Sequence, residues 1–251
     1  MATAGGCFLV ARGRRQSASV CGPMRIAEIF KSLQGEGFLT GTESAFVRTS
    51  GCNLRCRFCD TPYASWTPEG EDLSVQEIHE QTMRLGCAHV VITGGEPMMH
   101  AELIPLCSLL KAEGRHITIE TAGTLYLPLA CDLMSISPKL SNSTPSPERG
   151  GEWSRRHERT RCAPGAMRRL LSEYNYQVKF VVETLADCGE VHRYLVDFPE
   201  IDRARVMMMP MGTDTAILGE KARWLEPYCR EHGFHFCPRK QIEWFGLGRG
   251  T

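Results

Sequence analysis

The stretch that most limits what this chain can become is Gly51-Cys52-Asn53-Leu54-Arg55-Cys56-Arg57-Phe58-Cys59-Asp60-Thr61, directly after the apolar run Ser44 to Thr49. Its three thiols are spaced Cys-x-x-x-Cys-x-x-Cys, and thiolates crowded into one short loop suit a soft metal or an iron–sulfur cluster. A cluster closed by cysteine takes four such ligands, so here one iron is left without a protein ligand. A metal kept open in this way is a reactive metal, whereas a structural site is filled. The same spacing also describes one face of a helix with buried thiols. Gly51 before it, Pro62 after it, and Arg55 and Arg57 within it leave too short a run for an independent helix. Spacing alone leaves open a zinc site completed by a distant histidine.

Cys52, Cys56 and Cys59, with the aromatic Phe58 before the third, resemble the cluster motif of radical S-adenosylmethionine enzymes. The resemblance implies a [4Fe-4S] cluster whose open iron is chelated by S-adenosylmethionine. Reductive cleavage of that cofactor then gives a 5′-deoxyadenosyl radical, so no side chain is expected to act as the catalytic group. Radical chemistry of this kind is the cofactor's, and the protein aims it.

The rest of the chain reads as alternating strands and helices. Met24 to Phe30, Ser44 to Thr49, His89 to Thr93, His116 to Thr121, Asp132 to Ser137, Tyr176 to Val182 and Arg205 to Met209 are predicted strands, with Phe234 to Cys237 a short last one. Helical spacing covers Leu73 to Leu85 behind a Ser74 cap, Glu102 to Ala112, Met167 to Glu173, Asp187 to Val196 and Ala216 to His232. Such alternation predicts a mainly parallel sheet with helices outside it. The 251 residues, less tails and loops, leave room for about six βα units. The expected fold is therefore an α/β incomplete, TIM-like barrel, open on one side, in a single domain over 24–251. Partial barrels are also what the resemblance implies.

Residues 1–23 are small and basic without an acid, a composition like a transit peptide; an upstream start or a disordered tail is the preferred reading. The Ser-, Pro-, Gly- and Arg-rich segment 140–165 is expected to be a mobile loop or insertion. Twelve cysteines without a convincing secretory signal fit a reducing compartment, and a cytoplasmic location is expected. The other nine are read as core or surface thiols. Net charge is zero, so nothing points to nucleic acid or an anionic membrane.

Other motifs sit at strand ends. Gly94-Gly95-Glu96-Pro97 follows a strand at once; paired glycines allow a ligand close to the backbone, and Glu96 can accept from an ammonium group. An ordinary strand-to-helix turn is the plain alternative. Ser137-Pro138-Lys139 ends another strand, and Gln177, Lys179 and Phe180 lie on a later one. In the superfamily the glycine-glycine-glutamate motif holds the methionine amino group. The cofactor-binding set implied here is Phe58, Cys59, Asp60, Gly95, Glu96, Ser137, Pro138, Lys139, Gln177, Lys179 and Phe180.

Within the superfamily the resemblance narrows to the 7-carboxy-7-deazaguanine synthase family. It is carried by Leu33-Gln34-Gly35-Glu36-Gly37, Arg48, Cys59-Asp60-Thr61, Thr93-Gly94-Gly95-Glu96-Pro97 and Ser137-Pro138-Lys139, in this order. It implies ring contraction of 6-carboxy-5,6,7,8-tetrahydropterin to 7-carboxy-7-deazaguanine with loss of ammonia, a step toward bases such as queuosine. Leu33, Gln34, Gly35, Arg48 and Thr93 would hold the pterin. Arg48 offers a planar fork to its carboxylate, although a cross-strand ion pair is the plainer fate of such an arginine. Thr61 would give an oxygen to Mg²⁺, though a lone threonine usually means a cap or turn. An electron donor such as flavodoxin or ferredoxin is implied, and a homodimer is among the assemblies allowed. Two alternatives stay open: another radical enzyme, such as an activase for a glycyl-radical protein, and a metal or iron–sulfur module without a reaction of its own.

Overall fold

The computed structural model describes residues 22–251, so all but the last two residues of the expected N-terminal extension lie outside it. Among these residues nine strands form one sheet: β1 (Met24–Leu33), β2 (Glu43–Thr49), β3 (Glu71–Leu73), β4 (His89–Gly94), β5 (His116–Thr121), β6 (Leu133–Ile136), β7 (Tyr176–Val182), β8 (Val206–Pro210) and β9 (His235–Phe236). Among the described residues nine helices join or cover them: α1 (Pro62–Ser65), α2 (Val75–Arg84), α3 (Leu103–Ala112), α4 (Pro147–Gly150), α5 (Glu152–Thr160), α6 (Pro164–Glu173), α7 (Leu185–Asp197), α8 (Thr215–His232) and α9 (Lys240–Phe245).

The strand order is β3-β1-β2-β4-β5-β6-β7-β8-β9. From β2 through β9 every neighbour is parallel, while β1 pairs antiparallel with both β2 and β3. The parallel run is thus one strand longer than expected. Short Glu71–Leu73, of which only Leu73 is expected to be helical, pairs with Met24–Ile26. The helix begins after it, where the Ser74 side chain and Glu77 form a capping box. The sheet does not close on itself, and an incomplete α/β barrel describes it.

The segment 140–165 is a correction. It carries α4 and α5, with Ser143, Ser154 and His157 buried. Loop-like composition hid the helix because its apolar content is low. What holds α5 in place is a polar seam described below.

Side-chain alternation divides the strands into two faces. Ala45, Val47, Val90, Ile92, Ile117, Ile119, Met134, Ile136, Val178, Phe180 and Val182 pack outward under the helices in one continuous core. Their neighbours Arg48, Thr93, Glu120, Ser135, Lys179 and Met209 point into the barrel. Parallel register puts Arg48 opposite Thr93. The barrel interior is therefore polar, and it is built from strand residues of one parity.

Candidate active site

A cavity of about 510 Å³ opens at the C-terminal ends of the parallel strands. β2 delivers the chain into it through Ser50 and Gly51. Cys52, Cys56 and Cys59 all line the cavity, as does Phe58. All three are free thiols. Burial pushes the Cys52 thiol up to about 12 and the Cys56 thiol up to about 11. Such thiols lose their protons only to a metal that repays the charge. Among the described residues no group of Cys, His, Asp and Glu converges as tightly as one metal ion needs. Three free thiols on one cavity wall are, by their chemistry, a donor set that suits an iron–sulfur cluster.

The turn after β4 lies against this loop. The Gly95 N–H donates to the Thr49 carbonyl and the Glu96 N–H to the Gly51 carbonyl (2.9 Å). A Cβ on Gly95 would overlap the carbonyl oxygens of Gly51 and Ala64, so only glycine lets the two loops meet.

Four expected cofactor residues do not reach the cavity. Glu96 is fully buried, and its carboxylate accepts from the N–H groups of Met98 (3.1 Å) and Ala122 (2.8 Å) and from the Thr121 hydroxyl (2.7 Å). Burial raises its pKa, and those donors oppose the rise. Glu96 fixes the turn, and it is the backbone of Gly94 and Gly95 that faces the site. Gln177 donates to Ser135 Oγ and accepts from the Phe38 N–H, which uses its amide within the protein. Phe180 has the opposite parity from Lys179 and packs edge-on to Tyr194 at 5.2 Å under the helices. Pro138 is buried beside the cavity without lining it.

The other expected residues do converge there: Leu33, Gln34, Gly35, Arg48, Asp60, Thr61, Thr93, Gly95, Ser137, Lys139 and Lys179. Arg48 makes the cross-strand ion pair, with Glu28 opposite it on β1, and also lines the cavity. Its Nε donates to Glu28 (2.6 Å), which the Tyr63 hydroxyl also reaches (2.7 Å), and its Nη groups have no partner among the described residues. The Gln34 amide donates to Ser44 (2.9 Å) and keeps its oxygen for another donor. Lys139 Nζ donates only to the Ser137 carbonyl and hydroxyl, 2.7 and 2.8 Å away, so its charge has no carboxylate partner among the described residues. Thr61 precedes α1 without a capping hydrogen bond, and its hydroxyl lies 3.8 Å from Cys59 Sγ.

Sequence reasoning missed an ionic chain across the barrel floor. Lys179 is 3% exposed and sits between Glu36 (3.0 Å) and Glu120 (3.1 Å). Thr93 donates to the second oxygen of Glu120. Glu36 also meets Arg239, which reaches on to Asp60, and accepts from Gln241 (2.6 Å). Burial alone would raise the Glu36 carboxyl; the Lys179 ammonium and the Arg239 guanidinium outweigh it and hold it at about 2. The same carboxylates hold Lys179 well above the usual lysine range despite its burial. Glu120 was legible as an inward residue at a strand end. Arg239 and Gln241 lie in a tail without any motif, and only the folded chain shows that Gln241, Leu247 and Thr251 close one side of the cavity.

The outer side of the cysteine loop is held by the 140–160 segment. The Arg55 N–H donates to His157 Nδ1 (3.0 Å), and His157 Nε2 meets Ser143 Oγ (2.9 Å), which donates to the Leu140 carbonyl. The Arg57 N–H donates to the Ser143 carbonyl (2.9 Å), and the Arg57 carbonyl accepts from Arg149 (2.8 Å). Trp66 Nε1 donates to the Cys56 carbonyl (3.0 Å).

Residues 46–142 match the model of the Radical SAM superfamily. The 7-carboxy-7-deazaguanine synthase of Rhodopirellula baltica is 44% identical over 90% of this chain and 88% of its own length. The chain belongs to the 7-carboxy-7-deazaguanine synthase family. The synthase of Halobacterium salinarum is 40% identical, over 91% of this chain and 93% of its own. Among solved structures, QueE from Escherichia coli shares the fold at a TM-score of 0.65 and 24% identity, covering 86% of this chain and 94% of that one. Membership in this radical enzyme family brings with it a [4Fe-4S] cluster and S-adenosylmethionine. Among the described residues no helix is long and apolar enough to cross a membrane.

Proposed function

We propose that this chain is a 7-carboxy-7-deazaguanine synthase, a carbon–nitrogen lyase that contracts 6-carboxy-5,6,7,8-tetrahydropterin to 7-carboxy-7-deazaguanine and releases ammonia. The observation that carries the reading is one cavity lined at once by the three loop thiols and by a guanidinium fork, Arg48, held from behind by Glu28. Cys52, Cys56 and Cys59 would hold the cluster. With S-adenosylmethionine bound, the cluster supplies the one-electron cleavage that starts the reaction.

The chain's own residues bind and orient. Lys139, a cation without a carboxylate partner, suits the cofactor's carboxylate, and Gly95 presents backbone to its amino end. Phe58, Cys59, Asp60 and Ser137 face the same space. The free Nη edge of Arg48 takes the pterin carboxylate in a bidentate grip. The Gln34 oxygen, with Glu36 and Glu120 fixed by Lys179, supplies acceptors for the N–H-rich edge of the pterin. Leu33, Gly35 and Thr93 complete that wall. Thr61, whose hydroxyl caps nothing, would be the protein ligand of a Mg²⁺ that keeps waters or substrate oxygens. Reduction would come from a flavodoxin- or ferredoxin-like donor.

The test is reconstitution without oxygen, followed by reductant, S-adenosylmethionine, Mg²⁺ and carboxytetrahydropterin, with deazaguanine read by mass. Product that forms only with cluster and cofactor both present supports the reading. Cofactor cleavage without product from the pterin sinks it.

A further inference from the structure

The cysteine loop has two faces. Cys52, Cys56, Phe58 and Cys59 line the cavity, whereas Arg55 and Arg57 between them do not. On that other face the Arg55 guanidinium lies 4.0 Å from the centroid of the Trp153 ring, and Arg156 lies over the same ring at 4.4 Å. Arg149 stacks on Trp66 at 5.0 Å. Arg155, Arg156 and Arg159 are exposed on α5.

Neighbouring carboxylates are committed elsewhere. Glu183 pairs with Arg57 and Lys221, while Glu158 and Glu190 pair with Arg161. Among the described residues Arg55, Arg149, Arg155, Arg156 and Arg159 form no ion pair. Only Glu148 and Glu152, in the first turns of α4 and α5, stand against them. Guanidinium groups gathered this closely repel one another, and a negatively charged surface relieves that cost.

We infer that the face built by Arg55, Arg149, Trp153, Arg155, Arg156 and Arg159 is the docking surface for a small acidic one-electron donor protein. The inference rests on the synthase reading above. Cofactor and pterin occupy the cavity side of the loop, so the outer side is where an electron can enter. Arg55 lies between Cys52 and Cys56 in the chain and against the Trp153 ring, which puts this face on the back of the loop that would hold the cluster. The step is one electron: the donor is oxidised by one, the cluster is reduced by one, and no bond or proton is exchanged. Charge complementarity of this kind acts mainly on the association rate.

Two variants test it: R155Q/R156Q/R159Q, and R155E/R159E, the second changing only exposed side chains without an ion pair or ring contact among the described residues. Cluster bleaching is followed in anaerobic stopped flow with the hydroquinone of an acidic bacterial flavodoxin, and separately with dithionite. The expected result is a flavodoxin rate at least tenfold lower in both variants, with most of its salt dependence gone, and a dithionite rate within twofold of wild type. A flavodoxin rate unchanged in R155E/R159E, or a wild-type rate indifferent to ionic strength, overturns the surface. Bleaching needs no pterin, so the synthase reading fails separately, by absence of deazaguanine from a chain whose cluster is reduced normally.

Discussion

In the proposed reading Arg48 serves two partners at different atoms. Nε is spent on Glu28, and the side chain lines the cavity with its Nη groups unpartnered among the described residues. Arg48→Ala should lower deazaguanine formation by about a hundredfold or more, the scale of a lost buried charge pair, while reductive cleavage of S-adenosylmethionine continues. Arg48→Lys should recover little, because a point charge cannot bridge Glu28 and a carboxylate as a fork does. Lys179 has a different place, since it neutralises two buried carboxylates. Lys179→Met leaves Glu120 without a cation and Glu36 with Arg239 alone, and should cost about 3 to 5 kcal/mol in denaturant unfolding. The Glu36 carboxyl sits at about 2, below its ordinary 4.5. Its contribution is therefore complete above pH 4.5 and is lost as pH falls toward 2. A stability profile of the Lys179→Met variant should be flatter across that window.

At the level of elements, the cysteine loop is pinned from both sides, by the β4 turn and by the 140–160 segment. His157→Ala takes the acceptor from the half-buried Arg55 N–H, at a cost of about 1 kcal/mol, and should lower the iron retained per chain after reconstitution. His157 must be neutral at Nδ1 to accept that proton, and burial holds its pKa at about 4, below the ordinary 6.5. The clamp is thus whole above pH 6.5 and weakens as pH falls toward 4, which iron release followed against pH should show. Gly95→Ala should push the two loops apart and lose iron at unchanged helix content, as read by circular dichroism. Periodicity made the central strands and most long helices legible, because each buries one face against the other layer. It did not reveal α5, whose anchors are a histidine and a tryptophan rather than an apolar stripe. Cysteine spacing gave away the cluster loop for the opposite reason: it is a local pattern. Phe180 was assignable to the wrong face only because its strand is buried on both sides, where hydrophobicity carries no parity; Lys179 next to it does.

Across the whole molecule the sheet ends in β3 on one side and the two-residue β9 on the other. The edges do not pair. The turn after β1 meets the chain after β9 instead: Lys240 N–H donates to the Gly35 carbonyl (3.0 Å), Gly37 N–H to Cys237 Sγ (3.3 Å), and Phe38 packs edge-on to His235 at 5.4 Å. Gly37, at φ +83, makes the bend that brings this turn across. Amide exchange should run faster at 35–38 and 240–246 than in β4 to β7. This closure, and with it Arg239 and Gln241, was out of reach of the sequence because it joins residues some 200 positions apart with no shared motif. A vessel fastened by a row of side-chain buttons, rather than woven shut, can be undone locally. Opening it leaves every strand hydrogen-bonded, and Arg239, paired with Asp60 beside Cys59, would carry the change to the cluster loop.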